Sequence, residues 1–278
     1  MVKIITDSSC DIDLQRAEEM GVEIIPIQVH FGEESYRAGI DLSTSEFYDK
    51  LKTVDKLPTT SQITPTIFEE VFKKHLDEGD EIVGMFISTE MSGTYQNALM
   101  TKNIIGSERI HIVNTLQTTF GLALLIIEAC KMRDSGLSGA EIFEKITQLV
   151  PRVKLLASVE TLKYLKMGGR LSATTAIVGG ILGIYPIITI ESGKVETVGK
   201  ARGRAAANKI IEGLLQKDEI SSDYAVTFGH ADCVDACKNV EKIFATYVGK
   251  RQTMRCGIGC IVGTHTGPGA VGLAFIKK

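Results

Sequence analysis

The chain has 278 residues, of which 44% are hydrophobic and 23% charged, with a formal net charge of −3 and a pI of about 6.0. That is enough for one large domain or two ordinary ones with a real core, and the acidic balance argues against general nucleic-acid binding, which needs a basic surface. No apolar run reaches the ~18–20 residues needed to span a bilayer, and the opening "MVKIITDSS" has neither a secretory apolar core nor a twin arginine, so a cytoplasmic location is expected.

In chain order, "VKIIT" predicts a strand ending in the polar loop "DSSCD", and "LQRAEEMG" a helix closed by glycine. "VEIIPIQVHF" is β-branched and reads as one strand. Pro65 after Thr64 opens a helix whose apolar face falls at 67, 68, 71, 72 and 76. "EIVGMFIS" is a buried strand, "TYQNALMTKNIIG" a helix and "RIHIV" a strand. "TTFGLALLIIEACKMRDSG" is a long, mostly buried helix. This alternation predicts a parallel sheet covered by helices.

After the helix "GAEIFEKITQLV" the rhythm changes. "KLLASV" is a strand; "ETLKYLKMGGRLS" and "ATTAIVGGILG" read as helical with glycine breaks. "YPIITIESGKVETVGKA" is a hairpin turning at Ser192-Gly193. "RGRAAANKIIEGLLQK" and "CVDACKNVEKIFATYVG" are helices around the strand "DYAVTFGHA". The last segment, "QTMRCGIGCIVGTHTGPGAVGLAFIKK", reads as strand on both sides of a glycine turn. The expected architecture is α/β in two domains, a parallel-sheet unit of 1–155 and a mixed α+β unit of 156–278, packed tightly.

Gly267, Gly269 and Gly272 spell G-x-G-x-x-G, and His265 sits beside them. The dinucleotide fingerprint needs a preceding strand, a helix opening at the third glycine and an acid about 20 residues on. Only "LAFIKK" follows Gly272, Pro268 removes a backbone donor, and no GxxxxGK[ST] occurs, so no nucleotide is expected. Hydroxyls cluster instead at two points: Thr59 to Gln62 just before a helix, and Ser88, Thr89, Ser92 and Thr94 where a strand gives way to one. Each set could simply cap a helix. Together with His265 at the carboxyl ends of parallel strands they form a nearly neutral clamp, suited to one carboxylate rather than a polyphosphate. A histidine near its usual pKa of ~6.5 can donate to a carboxylate in either charge state, and the anion favours the protonated form. Cys233/Cys237 and Cys256/Cys260 are spaced by four, which suits packing better than Cys-x-x-Cys metal binding; no metal and no cofactor are expected.

Six segments in order, "ITDSSCDI", "PTTSQITP", "MSGTYQNA", "LKMGGRLS", "GKARG" and "GTHTGPGAVG", resemble the DegV family of bacterial fatty-acid-binding proteins nearly end to end. The resemblance implies a two-domain DegV-like fold with one long-chain fatty acid, such as palmitate, stearate or oleate, buried between the domains. It implies head-group contacts from Thr60, Ser61, Ser92, Gly93 and His265. It further implies a lipid-presenting subunit without catalysis of its own, whose bound carboxylate a separate fatty acid kinase phosphorylates for phospholipid synthesis. Arg170 in "GGRLS" and Arg202 in "KARG" would dock the kinase or meet the phosphate. The segment "VNTLQTTFGLALL" departs from the family's Asp-Ser pair followed by small residues, with Asn114, Thr115 and the bulky Phe120. That departure concerns the tail channel. A serine-dependent acyl hydrolase or transferase using Ser92 or Ser61 with His265 is the alternative, although "EMSGT" lacks the first glycine of a nucleophile elbow.

Overall fold

In the computed structural model, which describes residues 1–171 and 183–278, the first apolar run is β1 (Val2–Asp7), followed by a 3₁₀ turn at Ser8–Cys10 and α1 (Leu14–Glu19). The expected strand "VEIIPIQVHF" is two: β2 (Val22–Ile25) and β3 (Gln28–Phe31). Pro26 separates them, because it has no N–H for a ladder, and Ile27 N–H is taken by Ser8 Oγ at 2.9 Å. The break sends the chain into a different sheet. There β3 pairs with β4 (Glu34–Arg37) and, beyond α2 (Thr44–Leu51), with β5 (Thr59–Thr60), in the order β4-β3-β5.

α3 (Pro65–Asp77), β6 (Glu81–Phe86), α4 (Thr94–Ile105) and β7 (Ile110–Asn114) complete the parallel sheet, ordered β2-β1-β6-β7. Thr64 caps α3 through its side chain and Pro65 takes the first turn, as expected. The order reverses direction between β1 and β6, so their carboxyl ends flank the crevice where open α/β sheets hold ligands.

α5 (Thr119–Asp134) is buried at every residue from Thr119 to Cys130, with Glu128 the one charged side chain in that stretch. It touches strands of both large sheets. After α6 (Gly139–Leu149) come β8 (Val153–Ser158), the short α7 (Lys163–Met167), β9 (Ile184–Glu191), β10 (Lys194–Arg202), α8 (Arg204–Asp218), β11 (Val226–His230), α9 (Val234–Val248), β12 (Thr253–Gly257), α10 (Cys260–Thr266) and β13 (Val271–Ile276). The six-stranded sheet runs β10-β9-β8-β13-β11-β12 and mixes parallel with antiparallel pairs. Thr227 Oγ1 donates to Phe120 O at 2.6 Å, and the buried Glu128 accepts Ala225 N–H at 2.8 Å, so α5 is pinned to β11.

The β9–β10 hairpin turns at Ser192-Gly193 with both φ positive (47° and 82°), the conformation of a two-residue hairpin loop. The helical reading of "ATTAIVGGILG" lies outside the described residues, apart from its last glycine. Among the described residues of "ETLKYLKMGGRLS" only α7 is α-helical. "CIVGTHT", expected as strand, is the helix α10. Thr264 and Thr266 each return a hydroxyl to the carbonyl four residues back, at 2.8 and 3.1 Å, and Gly267, at φ +68°, ends the helix. Tertiary packing overrides the β-branched propensity here. All six cysteines are free thiols, five of them buried.

Candidate functional site

The loop after β6 is held from several directions. Asp7, at the end of β1 and fully buried, accepts the N–H of Ile87 and of Ser9, both at 2.8 Å. Burial raises its carboxyl pKa, and these donors oppose the rise. Ser88 N–H donates to Gln117 O and Ser88 Oγ to Gly193 O, each at 2.8 Å. Further along, Ser92 Oγ lies 3.0 Å from Thr94 Oγ1, which accepts Ile63 N–H at 3.4 Å. Asn97 Nδ2 donates to Ile63 O at 2.8 Å. The "PTTSQ" and "MSGT" segments, 31 residues apart in sequence at Ile63 and Thr94, thus form one wall. Gly93 presses on Gln62: a Cβ there would sit 1.9 Å from Gln62 Oε1.

α10 carries His265 to this wall. Its amino end is fixed by the first half of the chain: Asp11 Oδ1 accepts Gly259 N–H at 2.9 Å, and Tyr48 OH donates to Ile258 O at 2.9 Å. Asp11 is itself pushed up to about 7 by burial, which outweighs the hydrogen bond from Gly259 N–H. His265 Nε2 lies 3.3 Å from Thr60 Oγ1. The other ring nitrogen, Nδ1, is buried against Gly168 and has no partner among the described residues. A buried bare acceptor is more tolerable than a buried orphan N–H, so the proton belongs on Nε2, the nitrogen that can donate beside Thr60.

Arg170 completes this corner. Its Nε donates to Met91 O at 3.1 Å and its Nη1 to Gly168 O at 2.6 Å. Burial, and secondarily the Arg170 guanidinium, lowers His265 to about 4. The ordinary titration near 6.5 expected from sequence therefore does not hold, and at neutral pH the lowered value leaves His265 uncharged. A base held below its unfolded value stabilises the fold above about pH 6.5 and loses that contribution as pH falls toward 4. Two-dimensional NMR of the imidazole should place the His265 midpoint near 4. Arg170→Ala should raise it, and an unmoved midpoint in that variant would show that the guanidinium does not act on the ring.

Thr60, Ser61, Ser92, Gly93, His265 and Arg170 all line one cavity of about 510 Å³, within the usual size of a small-molecule site. Its walls are otherwise mostly apolar. Ile27, Ile87 and Phe120 come from the first half, and Ala157, Ile188 and Ile261 from the second. Phe120 packs directly against Gly229, where a Cβ would collide with its ring. Arg202 is not among the lining residues; it is exposed at the end of β10. Sequence reasoning missed Thr118 and Thr119, which line the cavity with hydroxyls that have no hydrogen-bond partner among the described residues. It also missed Asp7 and Asp11 as positioning residues, although both lie within "TDSSCD". The glycine loop is no nucleotide fingerprint, because it runs from helix α10 into strand β13, the reverse of the required order. Gly267 and Gly269 have φ of +68° and +83°, and a Cβ on Gly272 would stand 2.1 Å from Leu156 O. Their absent side chains serve turn geometry and close strand approach.

The model of the family described as "Uncharacterised protein, DegV family" matches residues 1–278. A DegV domain-containing protein of Caldanaerobacter subterraneus subsp. tengcongensis is 32% identical over 100% of this chain and 99% of its own length. One from Clostridium acetobutylicum is also 32% identical, with the same coverage. Among solved structures, a DegV family protein from Thermus thermophilus described for its fatty acid binding superposes with a TM-score of 0.90 at 26% identity, covering 100% of this chain and 99% of that one. A stearic acid-binding protein from Eubacterium ventriosum gives 0.89 at 28% identity with the same coverage.

Proposed function

Since the chain belongs to the DegV family, we propose that it binds one long-chain fatty acid, such as palmitate, stearate or oleate, between a unit of 1–155 and one of 156–278. The observation that carries this reading is the single cavity that joins apolar walls to a cluster of hydroxyls and one histidine. A carboxylate taken out of water needs donors. Thr60, Ser61, Ser92, the Gly93 backbone and His265 Nε2 would supply them. Each buried methylene contributes ~0.8 kcal/mol, so a chain of about 15 grosses ~12 kcal/mol before the costs of binding. The protein acts in the cytoplasm as a carrier without chemistry of its own, and presents the carboxylate to a separate fatty acid kinase. The acyl hydrolase alternative has less support. Ser92 Oγ is paired with Thr94, and among the described residues no hydrogen bond joins Ser61 or Ser92 to His265.

Native mass spectrometry of the purified protein should find about one fatty acid per chain, recovered as free acid on organic extraction. Apoprotein that also fails to take up added palmitate or oleate would sink this reading, and turnover of an acyl ester or thioester would favour the enzyme. Arg170 and Arg202 are the proposed kinase or phosphate contacts. Arg202→Ala should leave fatty-acid affinity unchanged and lower acyl-phosphate formation with a cognate kinase and ATP. Arg170→Ala should lower both, since Arg170 lines the cavity. Unchanged coupled rates in both variants would reduce the two arginines to structural roles.

A further inference from the structure

Away from the acyl cavity, a second cluster gathers where α3 ends and β6 begins. His75 is 3% exposed. Its Nε2 lies 2.6 Å from Glu23 Oε2 on β2. Its Nδ1 is sealed from solvent and has no hydrogen-bond partner among the described residues, yet it faces two carboxylates at ion-pair distance: Glu78 Oε2 at 3.3 Å and Asp80 Oδ2 at 3.5 Å. Both distances exceed the ~2.7–3.2 Å of an N–H···O bond. They match the edge of a tetrahedron whose arms are the ~2.0–2.2 Å of zinc–nitrogen and zinc–oxygen bonds, an edge of roughly 3.3–3.6 Å. Among the described residues this is the one group of three potential ligands whose donor atoms all lie within 4.8 Å of one another.

We propose that His75 Nδ1, Glu78 and Asp80 bind a divalent cation of the zinc class, tying the carboxyl end of α3 to the start of β6. An imidazole ligand selects zinc-like ions over magnesium or calcium, which prefer oxygen alone. Glu23 plays the outer-shell part. It accepts Nε2–H, which fixes the tautomer and leaves the Nδ1 lone pair for the cation. Three carboxylates stand here, from Glu23, Glu78 and Asp80. Two cations partly offset them: the Met1 ammonium 3.0 Å from Asp80 Oδ1, and Lys74 Nζ 3.5 Å from Glu23 Oε2. Asp80 Oδ2 is left facing His75. Glu78 is 54% exposed, so water reaches the remaining coordination position.

The test uses full-length protein stripped by chelator dialysis, titrated with Zn²⁺ by calorimetry and with Co²⁺ by visible absorption. One saturable site is expected, with a tetrahedral Co²⁺ spectrum that lacks the thiolate charge-transfer band of cysteine ligation. Glu23→Gln should weaken binding by about 10- to 100-fold, and the double variant Glu78→Gln with Asp80→Asn should abolish it. Circular dichroism and melting of the unliganded variants verify the fold. No saturable site with Zn²⁺ in excess, a thiolate band, or undiminished binding in the folded double variant would overturn the assignment.

Discussion

Replacing His265 by Ala is expected to weaken fatty-acid binding by roughly 10- to 150-fold while leaving the fold intact. A hydrogen bond to a charged group is worth ~1.5–3 kcal/mol, and every 1.4 kcal/mol is a tenfold change. Two features put the effect toward the upper end. The ring is largely buried, so water cannot fully replace the lost donor, and Nδ1 has no partner among the described residues, so the ring's donor capacity is directed through Nε2 toward Thr60 and the cavity. Ser92→Ala should have a smaller effect in the same direction, because its hydroxyl is shared with Thr94. Displacement of a fluorescent fatty acid measures both. Unchanged affinity in the two single variants would mean that the head group sits elsewhere in the cavity.

Phe120→Ala should produce the largest change in stability and a change in chain preference. Truncating a buried phenylalanine costs about 3–5 kcal/mol, and Phe120 is 1% exposed with its ring packed against Gly229. A fatty acid long enough to reach the vacated space would recover part of that loss. Two extra methylenes are worth about 1.6 kcal/mol, or roughly 15-fold in affinity. The variant should therefore melt early as apoprotein, shift to longer chains in a binding series from C14 to C20, and be restored most by the longest acid that fits. An unaltered chain-length profile in a stably folded variant would show that Phe120 does not bound the tail.

Much of the fold was legible because its rules are local. The alternation of β-branched runs with amphipathic stretches gave the parallel sheet. Ser192-Gly193 gave a hairpin whose two positive φ values few other residue pairs accept. Thr64-Pro65 gave a helix start. The misreadings arose where a distant contact decides. Pro26 ends a ladder, but nothing local says that β3 joins another sheet. "CIVGTHT" is strand by propensity, and it is helix because Asp11 and Tyr48, more than 200 residues earlier, anchor Gly259 and Ile258. The site was legible to the same degree. Thr60, Ser61, Ser92, Gly93 and His265 share a cavity because hydroxyls gather where strands give way to helices. Arg202 and Arg170 look alike in sequence, but only Arg170 faces that cavity. His75, Glu78 and Asp80 carry no motif at all, since their meeting depends on where α3 stops and on Glu23 from β2.

The position of β13 bears on how the protein is made. It lies between β8 and β11, in the middle of the six-stranded sheet, yet it follows every other strand of that sheet along the chain. Until Val271–Ile276 leaves the ribosome, the sheet exists at most as two pieces, β10-β9-β8 and β11-β12, each with a bare edge open to wrong partners. α10 precedes it by only four residues, so His265 and the closing strand arrive almost together. A nascent chain thus presents an apolar half-pocket that still lacks its histidine. The cavity comes into being at the final, long-range pairing step, which is intrinsically slow, and a ligand that prefers the closed sheet would pull that step forward by mass action.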